Sequence, residues 1–178
     1  MLRYFAYGSN MLLPRICARV ESVRPIGPAT LTGHRLLFHK VGQDGSAKCD
    51  AFYTGSGNDC IYGVLYEIPC SEKPLLDRAE GLGKGYDTKQ VKVILKNGLV
   101  HDAYLYIATL IDESLKPFSW YKELVLHGAL SNNLPKSYVS ERIEKVEAMD
   151  DPDKTRSMKN LRLLSEFHQF PQALKLHS

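Results

Sequence analysis

The chain has 178 residues, 44% of them hydrophobic, which suits one domain spanning residues 1–178 whose core needs no disulfide or metal. Its formal net charge is only +3, and its lysines and arginines are scattered singly among acids. This distribution excludes the clustered basic surface of a nucleic-acid-binding protein and the polybasic tract of a membrane-surface protein, so neither partner is expected.

The N-terminal stretch, Arg3 to Asn10, joins an aromatic run to a tight turn. The aromatic residues favour an extended strand, and Gly8, Ser9 and Asn10 are residue types that suit a turn. When a helix follows such a turn, several backbone N–H groups are left free for an anion or a developing oxyanion. Turns of this kind are also common in purely structural roles, so the stretch needs support from elsewhere in the chain.

A short helix is predicted over residues 11–19, with Ser9 or Asn10 as its N-cap and Pro14 in its first turn. Short segments rich in β-forming residues and separated by turn residues then predict strands. They cover residues 27–32, 34–41, 48–54 and 60–68. Strands this close together indicate a sheet that curls on itself, with antiparallel pairs made by hairpins.

A second helix is predicted over residues 71–80, with Ser71 as N-cap, Pro74 in the first turn and Gly81 ending it. Its apolar arc consists of Leu75, Leu76 and Ala79. Two longer strands, over residues 86–96 and 99–108, follow this helix. Asn97-Gly98 between them is the strongest short hairpin signal in the sequence.

From residue 117 onward the apolar period becomes helical. One helix reaches about residue 130 and carries Phe118, Tyr121, Val125 and Gly128 on its buried face, which leaves Trp120 exposed. Another starts at Pro135, with Val139, Ile143 and Val146 buried. A last helix over residues 151–165 starts with Asp151 as N-cap and Pro152 in its first turn. The tail, residues 167–178, is expected to be loosely held.

Glu80 is the acidic residue best placed for chemistry. It lies four residues after Leu76, so the helix directs its carboxylate toward the protein body and turns Asp77 and Arg78 outward. The negative end of the helix dipole disfavours a charge there, which suits a general base. A glutamate that simply reaches solvent is the structural alternative. Tyr121, Tyr86 and Tyr104 are equally typical of core tyrosines whose hydroxyl finds a partner.

The cysteines and histidines point away from disulfides and metals. Cys17, Cys49, Cys60 and Cys70 show no Cys-x-x-Cys spacing, and the six histidines occur singly, so we expect free thiols and no metal. The longest apolar run, residues 61–68, is too short to cross a membrane. Gly8-Ser9-Asn10 also interrupts any apolar stretch of a signal peptide. We therefore expect a cytoplasmic protein.

Three motifs stand in an order that resembles the gamma-glutamylcyclotransferase family. They are Tyr4-Phe5-Ala6-Tyr7-Gly8-Ser9-Asn10, Leu76-Asp77-Arg78-Ala79-Glu80-Gly81, and Tyr121-Lys122 with the later Gly128-Ala129 and Leu134-Pro135. Intermediate stretches such as Ile61-Tyr62-Gly63-Val64-Leu65-Tyr66 and Ala103-Tyr104-Leu105 are also similar. The resemblance covers roughly residues 3–148, which leaves the C-terminal helix and tail, residues 150–178, outside it.

The resemblance implies an α+β fold, with a small mixed, largely antiparallel β-barrel flanked by helices and an active site at the barrel's mouth. The implied reaction converts a small gamma-glutamyl substrate into 5-oxoproline and a free amino acid, without metal or organic cofactor. Glu80 is then the catalytic proton acceptor. The implied substrate-binding residues are Tyr4, Phe5, Ala6, Tyr7, Gly8, Ser9 and Tyr121, and Tyr86 and Tyr104 match positions near the pocket.

Other functions remain open at this point. Relatives within the wider group act on glutathione, on gamma-glutamylamines or on secondary-metabolite precursors. The Tyr7-Gly8-Ser9-Asn10 ending favours the gamma-glutamyl amino acid branch, since glutathione-specific and amine-specific relatives usually depart from it. A non-catalytic module could keep the barrel and only bind a gamma-glutamyl or acidic ligand, although Glu80 is present. A scaffold that uses an exposed Trp120 and the C-terminal helices to bind another protein, or a second copy in a homodimer, is a third alternative.

Overall fold

The computed structural model describes residues 1–169 of the chain. Seven strands form in this part of the chain: β1 Leu2–Ala6, β2 Arg24–Thr32, β3 His34–Val41, β4 Ala47–Tyr53, β5 Cys60–Ile68, β6 Tyr86–Leu95 and β7 Val100–Ala108. The same residues contain five α-helices: α1 Leu13–Cys17, α2 Lys73–Glu80, α3 Ser119–Ser131, α4 Lys136–Val139 and α5 Lys154–Gln169. Short 3-10 turns at Ser9–Met11 and Cys70–Glu72 precede α1 and α2, and a π-helical turn at Ser140–Glu144 continues α4.

Five of the strands close into a barrel in the order β1-β5-β2-β6-β7. Neighbouring strands are antiparallel except β1 and β7, which are parallel and pair at Tyr4 and Tyr104. Strands β3 and β4 form a separate two-stranded sheet. The expected α+β fold, a mixed and largely antiparallel barrel flanked by helices, is confirmed.

The predicted hairpin at Asn97-Gly98 is present, with Ile94 opposite Val100 and Gly98 at φ 85°. By contrast, β2 begins at Arg24, three residues earlier than predicted, although its first half contains prolines. Strand β2 pairs with β6 only at Ala29 and Thr30, so the earlier part needs to satisfy just one neighbour, β5. Proline is tolerated in a strand where one ladder is missing.

Two glycines allow close contacts that fix the N-terminal segment. A Cβ on Gly63 of β5 would lie 2.3 Å from the carbonyl oxygen of Ala6, so β1 can approach this closely only beside glycine. A Cβ on Gly128 of α3 would lie 2.8 Å from the backbone N of Leu12. The turn after β1 is therefore held between the barrel and α3.

The later helices differ from the prediction in their boundaries. The helix predicted from Pro135 is only α4 and its π-helical turn, which bury Val139 and Ile143 but leave Val146 half-exposed. The last helix starts at Lys154, and its first turn is capped by the side chain of Asp153, which accepts a hydrogen bond from the N–H of Arg156 at 2.9 Å. The predicted loose tail lies outside the described residues except for residues 167–169, which continue α5.

Candidate active site

The N-terminal turn follows directly from the end of β1 at Ala6. The N–H groups of Met11 and Leu12 donate to the carbonyls of Gly8 and Ser9 at 3.0 and 3.2 Å, which closes the 3-10 turn. Neither Ser9 nor Asn10 caps a helix, contrary to the prediction, because α1 begins after Leu12 without a side-chain cap. Both side chains instead accept hydrogen bonds from arginines of the short α1 region.

The backbone N–H groups of the turn are available to a ligand. Within residues 1–169, neither the N–H of Gly8 nor that of Ser9 donates a hydrogen bond. Buried N–H groups are almost always paired in folded proteins. Both residues line a cavity, so their N–H groups can donate hydrogen bonds to an oxygen atom of a ligand placed there.

Glu80 is the last residue of α2, which ends because Gly81 adopts a left-handed conformation at φ 76°. Its Oε1 accepts a hydrogen bond from Asn10 Nδ2 at 2.9 Å, so the carboxylate faces the N-terminal turn. Oε1 also forms an ion pair with Arg19, whose Nη1 donates to Asn10 Oδ1 at 2.7 Å. The Glu80 and Arg19 side chains are 16% and 19% exposed. The three side chains form one charged, hydrogen-bonded cluster.

The rest of α2 packs differently from the predicted arc. Leu76 is fully buried, but Leu75 and Ala79 are exposed. Asp77, predicted to turn outward, is partly buried and accepts hydrogen bonds from Tyr106 at 2.7 Å and from Lys73. The helix is short, and its inward positions after Leu76 are polar groups with partners, so it has no further apolar stripe.

A small inner cavity lies between the N-terminal turn and the end of α2. Its lining residues come from separate parts of the chain: Tyr4, Tyr7, Gly8, Ser9, Asn10, Cys49, Glu80, Tyr86, Tyr106 and Tyr121. Its volume of about 20 Å³ is close to that of one water molecule, so a larger ligand must also occupy the space outside it. The structure thus brings Glu80, Tyr121, Tyr86 and four residues of the predicted loop to one place.

Tyr121 sits at the boundary between this cavity and the surface. Its hydroxyl oxygen accepts a hydrogen bond from the backbone N–H of Cys49 at 3.1 Å. The carbonyl of Cys49 is held as well, since it accepts a hydrogen bond from the Tyr86 hydroxyl. The Cys49 thiol is the other partner of this hydroxyl and only a weak acceptor, so a ligand oxygen in the cavity can take the Tyr121 proton in its place.

Burial keeps the cavity's tyrosines and its cysteine protonated at neutral pH. It raises the pKa of Tyr4, Tyr7, Tyr86 and Tyr121 well above the ordinary tyrosine value, and nearby negative charges add to the effect. Burial also raises the pKa of Cys49 to about 12. These groups are hydrogen-bond donors rather than bases or nucleophiles.

The remaining predicted residues lie close by but outside the cavity. Phe5 and Ala6 are fully buried in β1, and neither lines the inner cavity. Tyr104 is buried beside Tyr4, with ring centroids 5.4 Å apart, and borders a different surface depression near the N-terminus. Their role is therefore in the core of the barrel, where Tyr104 packs against Tyr4, a residue that lines the cavity.

A larger outer chamber of about 220 Å³ adjoins the inner cavity and shares Ser9, Glu80, Tyr86 and Tyr121 with it. The chamber is strongly cationic. Its charged lining residues are Arg15, Arg19, Lys40, Lys48, Arg78, Asp44 and Glu80. Together, the two spaces form a pocket with a small inner end, where Glu80 is the charged residue, and a positively charged mouth.

Trp120 is part of the wall of this chamber, so the prediction that it is exposed is wrong. Only 5% of its surface is accessible, and its Nε1 donates to Asp151 at 2.7 Å. Asp151 in turn accepts two hydrogen bonds from Arg156 of α5, at 2.7 and 2.6 Å. This removes the exposed tryptophan on which the scaffold alternative relied, and it ties the C-terminal segment to the site.

Sequence reasoning missed most of the polar shell around Glu80. Arg15 and Arg19 are four residues apart, a spacing that would place both on one face of the helix predicted over residues 11–19, although α1 itself ends at Cys17. Arg15 donates to Ser9 Oγ at 2.9 Å. Lys40 and Lys48 carried no comparable signal, because their approach depends on how the β3–β4 sheet packs against the barrel.

Within the part of the chain that the structure describes, residues 1–169, no group of three or more histidine, cysteine, aspartate or glutamate side chains could hold a metal ion. No helix there has the length and apolar content required to span a membrane.

The chain is similar to known proteins both in sequence and in fold. Residues 60–141 match the model of the AIG2-like family. The chain is 32% identical over 152 residues to gamma-glutamylcyclotransferase of Homo sapiens, covering 83% of this chain and 79% of that protein. It is 30% identical over 149 residues to gamma-glutamylcyclotransferase of Mus musculus, covering 81% and 78%. A solved structure named gamma-glutamyl cyclotransferase is similar with a TM-score of 0.77 at 28% identity, covering 89% of this chain and 98% of that one.

Proposed function

The chain belongs to the gamma-glutamylcyclotransferase family, and we propose that it converts a gamma-glutamyl amino acid or peptide into 5-oxoproline and the free amino acid, with Glu80 as general base and acid. One observation carries the proposal: Glu80 and the unpaired N–H groups of Gly8 and Ser9 line the same cavity. The proposed reaction uses no cofactor.

The substrate supplies its own nucleophile in this proposal. Its α-amine attacks its γ-carbonyl carbon, a C–N bond forms, and a five-membered ring closes, so the protein mainly has to hold the glutamyl unit folded back. The α-ammonium must lose a proton before it can attack, because its pKa is about 8. Glu80 is the carboxylate available at the inner cavity to accept that proton.

The second half of the reaction breaks the original amide bond. As the tetrahedral intermediate collapses, the bond between the γ-carbon and the leaving nitrogen breaks, and Glu80 returns a proton to that nitrogen. Of the two protons left on the attacking nitrogen, one goes to water and the other stays as the N–H of 5-oxoproline, and the released amine takes up a proton from water. The negative oxygen of the intermediate is stabilised by the N–H groups of Gly8 and Ser9 and by the Tyr121 hydroxyl.

The other groups in the inner cavity support this assignment by their protonation. Cys49 stays a thiol and the tyrosines stay phenols at neutral pH, so none of them competes as a base. Among the residues that line the inner cavity, Glu80 is the carboxylate. Glu80 at the end of α2 and the N–H groups of Gly8 and Ser9 line one cavity, which is the arrangement that the cyclisation needs.

The direct test measures 5-oxoproline release from gamma-glutamylalanine, glutathione and gamma-glutamyl-lysine by the purified protein. We expect the highest rate with gamma-glutamylalanine. A preference for glutathione, or for the amine-linked lysine substrate, would assign the protein to one of the other branches. Absence of 5-oxoproline from every substrate would contradict the proposal.

Glu80→Gln is the matched mutational test, and we expect it to lower turnover by about two to four orders of magnitude, the usual scale for a general base. Glu67→Gln is its control, because it also removes a glutamate that pairs with an arginine, Arg24, at 3.5 Å on the barrel surface. Circular dichroism should show both variants folded. Near-normal turnover of a folded Glu80→Gln protein would remove Glu80 from the mechanism.

A non-catalytic binding module is the second candidate, and the Arg19–Glu80 ion pair favours it, since the carboxylate already has a partner. In that case, gamma-glutamyl ligands would bind to the protein in titration calorimetry without any release of 5-oxoproline.

A further inference from the structure

The outer chamber carries more positive charge than its own carboxylates neutralise. Five cationic side chains and two carboxylates line it. Lys48 pairs with Asp44 at 2.8 Å, and Arg19 pairs with Glu80. Within residues 1–169, the other three cations, Arg15, Lys40 and Arg78, have no carboxylate at ion-pair distance.

These three cations differ in what surrounds them. Arg78 is exposed, so water solvates its charge. Arg15 is half-buried and donates to Ser9 and to Asn160 Oδ1, both at 2.9 Å, while burial and the nearby Arg19 lower its pKa to about 10. Lys40 is the extreme case, because only 3% of its surface is accessible.

Lys40 extends from β3 toward the chamber mouth. Its Nζ lies 4.4 Å from the centroid of the Tyr86 ring, and no hydrogen bond to this nitrogen forms with any residue the structure describes. Burial lowers its pKa, although the charges of Glu80 and Asp44 oppose the change. Burying an ammonium group without an anionic partner costs folding free energy, because the charge loses its hydration. A lysine in such a position therefore suggests that an anion binds next to it.

Building on the proposed function, we propose that the outer chamber is a carboxylate-binding subsite for the leaving amino acid, in which Lys40 selects gamma-glutamyl substrates whose leaving group has an acidic side chain. A substrate such as gamma-glutamylalanine carries two carboxylates, whereas the chamber offers three cations without carboxylate partners. Gamma-glutamylglutamate brings a third carboxylate to this chamber. This carboxylate would form an ion pair with Lys40, which has no carboxylate partner among the residues that the structure describes.

The first experiment compares kcat/KM for gamma-glutamylglutamate and gamma-glutamylglutamine, which differ only in one charged group. A hydrogen bond to a charged, desolvated group changes an affinity by about ten- to a hundredfold. We therefore expect kcat/KM of wild type to be at least tenfold higher for the glutamate substrate. Lys40→Met should bring this ratio close to one. Lys136→Met is the control, because Lys136 is exposed on α4, and it should keep the wild-type ratio.

The second experiment measures binding without turnover, so that the subsite and the reaction can fail separately. It uses titration calorimetry with two substrate analogues in which a sulfonyl group replaces the γ-carbonyl, which leaves the amine no acyl carbon to attack. We expect the analogue with a glutamate leaving group to bind wild type at least tenfold more tightly than its glutamine counterpart, and Lys40→Met to lose the difference.

The outcomes separate the two ideas. Selective binding without 5-oxoproline release would support the subsite and contradict the proposed function. Release of 5-oxoproline with a glutamate-to-glutamine ratio near one in wild type would contradict the subsite and leave the function standing. A glutamate-to-glutamine ratio that stays above tenfold in Lys40→Met would contradict the role of Lys40. If Lys40→Met folds poorly, the ratio measured with wild type still shows whether the subsite exists.

Discussion

Tyr121→Phe tests whether the hydroxyl at the cavity boundary serves the substrate or only the fold. The substitution removes the acceptor of the Cys49 N–H, now at 3.1 Å, and leaves that buried N–H unpaired. An unpaired buried donor costs about 1–3 kcal/mol. For a chain of this size each kcal/mol corresponds to roughly 2–4 °C, so Tm should fall by about 2–12 °C.

The same variant also removes the proton that Tyr121 keeps available to a ligand. Loss of one such hydrogen bond corresponds to about a tenfold change in affinity. We therefore expect KM for gamma-glutamylalanine to rise by about tenfold, with a smaller effect on kcat. Steady-state 5-oxoproline release and thermal unfolding followed by circular dichroism measure the two effects separately.

Tyr138→Phe is the control for this experiment. Tyr138 is also buried, but its hydroxyl has no hydrogen-bond partner among residues 1–169, and its ring packs against Tyr62, which does not line the inner cavity. Its removal should leave both Tm and KM close to wild type. If Tyr121→Phe lowers Tm but leaves KM unchanged, the hydroxyl is structural and the substrate contact is refuted.

Two further predictions concern the framework that holds the site. Gly63→Ala should destabilise the protein by about 3 kcal/mol in chemical denaturation, because the new Cβ would lie 2.3 Å from the Ala6 carbonyl oxygen. Gly57→Ala is the control, because there is open space around Gly57, and it should change the stability little. Equal effects of the two substitutions would refute the close β1–β5 contact. Asp151→Asn should lower Tm by roughly 5 °C at pH 7. Arg156 holds the pKa of Asp151 well below its usual range, so this stability is present above about pH 4 and is lost as the pH falls further. The difference between Asp151→Asn and wild type should therefore shrink at pH 3, while Asp102→Asn, in an exposed pair with Lys92, should match wild type throughout.

The parts of the fold that the sequence predicted are those with strong local signals. The Asn97-Gly98 hairpin and the Gly81 helix end depend on backbone conformations that few other residues adopt, so both positions were right. The closure of the barrel by a parallel β1–β7 pair depends on contacts between residues about a hundred positions apart. Local patterns carry no information about such a pair, and the family resemblance implied a mixed barrel without identifying the strands that close it.

The site shows the same division. Glu80 was found because its spacing from Leu76 fixes its direction on one helix. Trp120 was misplaced, because periodicity along α3 could not reveal that Asp151, thirty-one residues later, returns to accept its N–H and covers it. Lys40 was missed for a similar reason, since a lysine in a strand is ordinarily exposed and nothing nearby in sequence shows that it is buried.

The Arg19–Glu80 ion pair bears on how a paired carboxylate acts as a base in the proposed reaction. Two unit charges about 4 Å apart attract each other by about 4 kcal/mol near a protein surface, so the pair opens readily only if both members gain new partners. A gamma-glutamyl substrate brings a carboxylate for Arg19 and an ammonium for Glu80, and this exchange leaves no charge unpaired. A ligand without the ammonium offers Glu80 nothing and should leave the ion pair closed. The proton that Glu80 must remove is thus carried by the same group that releases Glu80 from Arg19, which restricts the base to molecules able to cyclise.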